Sequence, residues 1–164
     1  MFSTALKPIA LERIRAMADL FSLGGAFNVD GINSINLFIE MKPTPKSRPR
    51  FVKTGRVFTD KKTVAAEKLI GLKCKAAKSG EIWRFPIQLS LRFHFVPPKA
   101  YRGKVPAWRP KKPDLDNLTK LVKDACNGIL WVDDAQVVRL DASKIYSSKQ
   151  GVEIYAREIT QQRQ

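Results

Sequence analysis

The chain changes its hydrophobic period several times. Over residues 86–96, Ile87, Leu89, Leu91, Phe93 and Phe95 alternate with Gln88, Ser90, Arg92 and His94. That strict alternation predicts a strand with one buried face. Ile35, Leu37, Ile39 and Met41 alternate in the same way with Asn36, Phe38 and Glu40. Residues 135–146 and 151–159 predict two further strands, with Val152, Ile154 and Ala156 pointing inward. Spacings of three and four predict helices elsewhere. Residues 9–21 carry Leu11, Ile14, Ala18 and Phe21 as a short amphipathic helix, stopped by Gly24-Gly25. A second helix runs from a Thr59 or Asp60 cap to about Lys78, with Ala65, Leu69, Leu72 and Ala76 on its apolar face, and Ser79-Gly80 closes it. Asp114 to Asn127 is a third, buried along Leu115, Leu118, Val122 and Ala125 and stopped by Asn127-Gly128. A short hairpin is expected over 51–59, around Thr54-Gly55. The order of elements predicts an α+β fold: a single compact domain, 34–164, with a small mixed sheet of about four strands and two main helices. Residues 1–33 are expected as an N-terminal extension, with a loop from Asn28 to Asn33.

With 164 residues, of which 44% are hydrophobic and 27% charged, one packed core is expected rather than disorder. No apolar run approaches the roughly 20 residues of a membrane span. Lys7, Glu12, Arg13 and Arg15 interrupt the N-terminal stretch where an export signal would be apolar. The two cysteines, Cys74 and Cys126, lack metal-site spacing, and His94 is the one histidine. Zinc binding, a disulfide framework, a Cys–His nucleophile and a Ser-His-Asp triad are therefore disfavoured, and a reducing cytosol is expected.

Charge separates the segments further. Thirty Lys and Arg against fifteen Asp and Glu give a net charge of +15, which suits a polyanionic partner. With no basic amphipathic helix or lipidation motif, nucleic acid is preferred to a membrane. Residues 34–84 carry +9 and residues 85–113 carry +7, whereas residues 114–142 carry −3. Two proline-rich basic loops account for much of the excess. Residues 42–50 hold Lys42, Lys46, Arg48 and Arg50; residues 97–113 hold Lys99, Arg102, Lys104, Arg109, Lys111 and Lys112, interleaved with Tyr101 and Trp108. Basic side chains with aromatics suit backbone contact and base stacking, although a solvated loop has the same composition. His94 falls on the polar face of its strand, solvated or facing phosphate.

An acidic island inside a basic protein suits phosphodiester cleavage, in which carboxylates hold a divalent cation against the phosphate. In residues 111–137, Asp114 and Asp116 are two apart, Asp116 fits the cap of the third helix, and Lys120 follows one turn later. Asp134 opens the next strand. If these carboxylates converge, they suit Mg²⁺, a hard ion that takes oxygen ligands and keeps several waters. Lys120 would then offset charge developing on the phosphate. Each residue also has a plain structural role open to it: Asp114 or Asp116 as a cap, Lys120 in an ion pair, Asp133-Asp134 as a turn.

The stretch KPDLDNLTKLVKDACNGILWVDDAQVV resembles the signature of RusA-type Holliday junction resolvases, and LFIEMKPTPKSRPRFVKTGRVFTDKK resembles the N-terminal strand and basic loop of the phage-type members. The resemblance covers roughly residues 35–160. It implies that Asp114, Asp116 and Asp134 are catalytic, metal-binding aspartates and that Lys120 is the catalytic lysine. It implies a homodimer, dependent on Mg²⁺ with Mn²⁺ as the alternative ion, that resolves four-way DNA junctions by paired nicks in the cytoplasm of a bacterial or phage-infected cell. Lys46, Arg48, Arg50, Lys53, Arg56, Lys99, Arg102, Lys104, Arg109, Lys111 and Lys112, in loops 42–56 and 99–112, would hold the DNA arms. A nuclease for other branched DNA and a non-catalytic binding protein are the alternatives; the retained aspartates speak against the second.

Overall fold

A computed structural model describes residues 25–29, 32–47, 50–51, 57–58, 60–99, 101 and 107–159. The expected helix over 9–21 and the Thr54-Gly55 turn lie outside these residues. So do Arg48, Lys53, Arg56, Arg102 and Lys104.

Among the described residues, seven strands and two α-helices follow in the order β1 (Gly25–Val29), β2 (Ile32–Ile39), β3 (Arg50–Phe51), β4 (Val57–Phe58), α1 (Lys61–Ala77), β5 (Ile87–Phe95), α2 (Leu115–Cys126), β6 (Val137–Tyr146) and β7 (Gly151–Glu158). A 3-10 turn, Asp134–Gln136, precedes β6. The main sheet has five strands in the order β1-β2-β7-β5-β6, and β3 pairs with β4. Only β5 and β6 run parallel; the other neighbours in the main sheet are antiparallel. A parallel pair needs a crossover connection, and α2 supplies it. Residues 147–150 then carry the chain across the C-terminal end of β5, so that Gly151 pairs with His94.

The α+β architecture with a mixed sheet is as expected, but β1 is an addition. Its residues, and Asn33 of β2, fall in the segment read as extension and loop. Val29 pairs with Ile32, so Asp30-Gly31 alone separates the two strands. Asp-Gly between alternating residues is a strong hairpin signal, and it lies in the segment expected as a loop.

Alternation is borne out where it was cleanest. Ile87, Leu89, Leu91, Phe93 and Phe95 are buried on one side of β5, joined by Ile35, Leu37 and Ile39 of β2 and Val152, Ile154 and Ala156 of β7. α2 buries Leu118, Val122 and Ala125 as expected, and Thr119, Leu121 and Cys126 besides. The face assigned to α1 needs correction. Thr63, Ala66, Ile70, Gly71 and Cys74 are buried, while Leu72 is exposed. Small residues line this face because the two helices pack closely. A Cβ on Gly71 would lie 2.8 Å from Ile129 Cδ1 and 3.1 Å from the Ala125 carbonyl oxygen.

Candidate active site

α2 begins one residue after Asp114, not at Asp116. Asp114 occupies the N-cap with extended backbone, φ −73° and ψ 144°, and Asp116 lies inside the first turn. The expectation that Asp116 is the cap is therefore corrected. Asp114 makes no side-chain cap bond, so its carboxylate is not used to close the helix. Asp116 and Lys120 are exposed, one turn apart on the helix surface. Lys123 continues the same line, and its Nζ lies 3.2 Å from Asp134 Oδ2. The stripe thus reads acid, base, base along α2, and Asp134 attaches to it at Lys123. Among the described residues, no three His, Cys, Asp or Glu side chains form a group able to share one metal ion.

The turn carrying Asp134 is fixed by its neighbours. Asp133 accepts from the Ala135 amide at 2.7 Å. The Gln136 side chain accepts from the Val132 and Asp133 amides and donates to the Trp83 and Phe85 carbonyls. Asp133 is thus occupied in capping its turn.

The two basic loops meet at the N-terminus of α2. A cleft of about 660 Å³ is lined by Lys42, Pro43, Pro45 and Lys46 from one loop, by Arg109, Lys112 and Pro113 from the other, and by Asp114 and Asn117 of the helix. The Lys46 amide donates to the Asn117 carbonyl at 2.8 Å, which ties the first loop to the helix. The second loop is tied through Lys144, whose ammonium donates to the Lys111 and Pro113 carbonyls at 3.0 and 2.8 Å.

Not every basic residue expected on DNA is free to reach it. The Lys46 ammonium is held between Glu67 of α1 and Asp124 of α2, so its charge is matched within the fold. Burial alone would lower its pKa, but the bonds to Glu67 and Asp124 outweigh that and raise it. The Arg109 guanidinium lies 4.3 Å from the centre of the Phe95 ring and donates to the Lys112 carbonyl. Both cations are engaged within the fold, where they help to shape the cleft. Lys99, Lys111 and Lys112 are exposed. Of Arg50, the described part is the backbone of β3. His94 is held by Glu153, with Nε2 3.0 Å from Oε2, rather than solvated. Lys123, Gln136 and Lys144 were not singled out from the sequence. The Asp-Asp-x-Gln-Val spacing contained the signal for Gln136, whereas Lys123 and Lys144 needed the fold.

A model of the family "Endodeoxyribonuclease RusA" matches residues 40–157, spanning both loops, both helices and β5 to β7. The chain belongs to the RusA endodeoxyribonuclease family. Members of the RusA family are enzymes that cut DNA internally. The chain is 28% identical over 141 residues to the uncharacterized protein YqaN of Bacillus subtilis, covering 79% of this chain and 99% of that one. It is 33% identical over 75 residues to the crossover junction endodeoxyribonuclease rusA of Lactococcus phage r1t, covering 45% of this chain and 56% of the phage protein. RusA membership agrees with the resemblance carried by the α2 signature. Among the described residues no helix is long and apolar enough to cross a membrane.

Proposed function

We propose that the chain cuts branched DNA, four-way junctions first of all, at the N-terminal half of α2, as a Mg²⁺-dependent homodimer that places paired nicks. The observation that carries this reading is the meeting of two basic loops at a helix start whose Asp114 makes no cap bond. Phosphate is drawn in by Lys42 and Lys112, and the exposed Lys99 and Lys111 extend the grip along the backbone. The donor chemistry fits a hard divalent cation. Asp114 and Asp116 offer carboxylate oxygens two residues apart, and Mg²⁺ takes one or two carboxylates while keeping waters. Asp114 and Asp116 would hold the ion, and Asp134 is assigned as the third acidic residue of the centre. When bound, the ion would polarise the scissile phosphate and lower the pKa of a bound water. Lys120, one turn from Asp116, sits to offset charge developing on the phosphate oxygens. Mn²⁺ meets the same oxygen ligands, and a bacterial or phage-infected cytoplasm is the proposed setting. A four-way junction needs two like strands cut, and a two-fold dimer supplies two equivalent sites.

The test is a comparison of a synthetic four-way junction with a linear duplex of the same sequence, in Mg²⁺ and in EDTA. Paired nicks confined to the junction and abolished by EDTA are expected. Equal cutting of both substrates contradicts junction selectivity, and tight binding with no cutting under any divalent ion contradicts the nuclease reading.

A further inference from the structure

We propose that two copies of the chain associate through their β6 strands, paired antiparallel about a two-fold axis at Leu140. The proposal deepens the nuclease reading and rests on it for the choice of a second copy as the occupant. β6 ends the main sheet and is bonded on one flank to β5. Its other flank is covered only near its C-terminus, among the described residues. There Trp108 bridges Ile145, the Arg109 amide donates to the Lys144 carbonyl, and the Tyr146 amide donates to the Ala107 carbonyl. Ahead of β6, the 3-10 turn Asp134–Gln136 breaks the strand. The open stretch is therefore 137–143, and its midpoint is residue 140.

This edge is apolar where it should be wet. Leu140 is 48% exposed although it pairs with the fully buried Leu89, and Val138 is 64% exposed. Phe85 and Val132, also exposed, join the same end of the strand through Gln136. Proteins ordinarily blunt or cover such an edge.

Charge complementarity suits a second copy and selects the register. Residues directly opposite each other in an antiparallel pair share a face of the sheet, and a two-fold axis normal to the sheet keeps each side chain on its own face. The axis must then pass through a residue position, not between two. Centred on 139, Arg139 opposes itself; centred on 141, Asp141 opposes itself; like charges directly opposite destabilise a pair. Centred on 140, Arg139 meets Asp141 of the second copy twice over, Leu140 meets its own copy, and Val138 meets Ala142. Neither Arg139 nor Asp141 has an ion-pair partner among the described residues. The pairing sets two α2 helices antiparallel on one face of a continuous sheet, so each copy presents its site in the opposite sense.

Sedimentation equilibrium on the full chain tests this, with wild type, Arg139→Glu, Asp141→Arg and the double variant, each checked for fold by circular dichroism. A wild-type dimer is expected. Either single swap, which opposes like charges twice, should weaken it by about tenfold or more, and the double variant should recover the wild-type affinity. A monomeric wild type, or a dimer indifferent to the swaps, overturns the pairing. Junction cleavage on the same samples keeps the two readings apart. A monomer that cuts overturns the pairing alone; a dimer that responds to the swaps but never cuts overturns the nuclease reading alone.

Discussion

Asp116, Lys120 and Lys123 lie along one line of α2, and the proposed role of Lys120 and the pairing of Lys123 can be told apart by substitution. If Lys120 offsets phosphate charge, Lys120→Met should lower cleavage by roughly 10²–10³-fold, the usual cost of losing one electrostatic donor, while junction affinity changes little. Single-turnover cleavage at saturating enzyme reads the first, and a filter-binding titration in EDTA reads the second. Asp134 can serve in the cutting centre or merely pair with Lys123. If it serves in the centre, Asp134→Asn loses cleavage and Lys123→Met retains it; equal loss from both would reduce Asp134 to an ion-pair partner. Lys46 differs in kind, because Lys46→Met leaves Glu67 and Asp124 facing each other without their cation. For a site about a quarter exposed, a loss of roughly 1–3 kcal/mol is expected, below the 3–5 kcal/mol of a fully buried pair. The folded pKa of Lys46 lies above its ordinary value of 10.5. Its contribution is therefore complete below pH 10.5 and disappears as pH rises through the raised value. The urea midpoint difference between wild type and Lys46→Met should hold steady through neutral pH and shrink above pH 10.5.

Among the elements, α1 and α2 show how much a pattern reveals and where it stops. The α2 stripe was legible because the large Leu118 and Val122 give a clear 3.6-residue period. The face of α1 differs from the expected one because all its buried residues but Ile70, namely Thr63, Ala66, Gly71 and Cys74, are small, and the more conspicuous Leu72 lies outside. Periodicity sees hydrophobicity, whereas close helix packing selects for size. Gly71→Val should therefore cost about 1–3 kcal/mol by overpacking against Ile129 and the Ala125 carbonyl. That exceeds the few tenths of a kcal/mol that valine gains over glycine in helix propensity. Chemical denaturation reads the loss, and cleavage per folded molecule should be unchanged. Types and spacings of the site residues were likewise legible in the Asp-x-Asp-Asn-Leu-x-Lys run. The inward turn of Lys46 and the seating of Arg109 on Phe95 were not, since each depends on residues more than ten positions away along the chain.

For the whole molecule, the +15 charge is unevenly spent. Lys46 and Arg109 are engaged within the fold, while Lys99, Lys111 and Lys112 of the second loop are exposed and are the ones proposed to meet phosphate. Metal-free junction binding should fall steeply with salt, with a log–log slope of several units, each phosphate contact contributing about 0.9. A flat dependence would place the DNA elsewhere. The assignment of Asp116 to a DNA-cutting centre is tested by cleavage and binding of a four-way junction in Mg²⁺, measured side by side for wild type and Asp116→Asn. Junction nicking that is abolished by the substitution, with binding equal or tighter because one repulsive carboxylate is gone, is the predicted result. Undiminished nicking, or binding and nicking lost together in a folded variant, would contradict it.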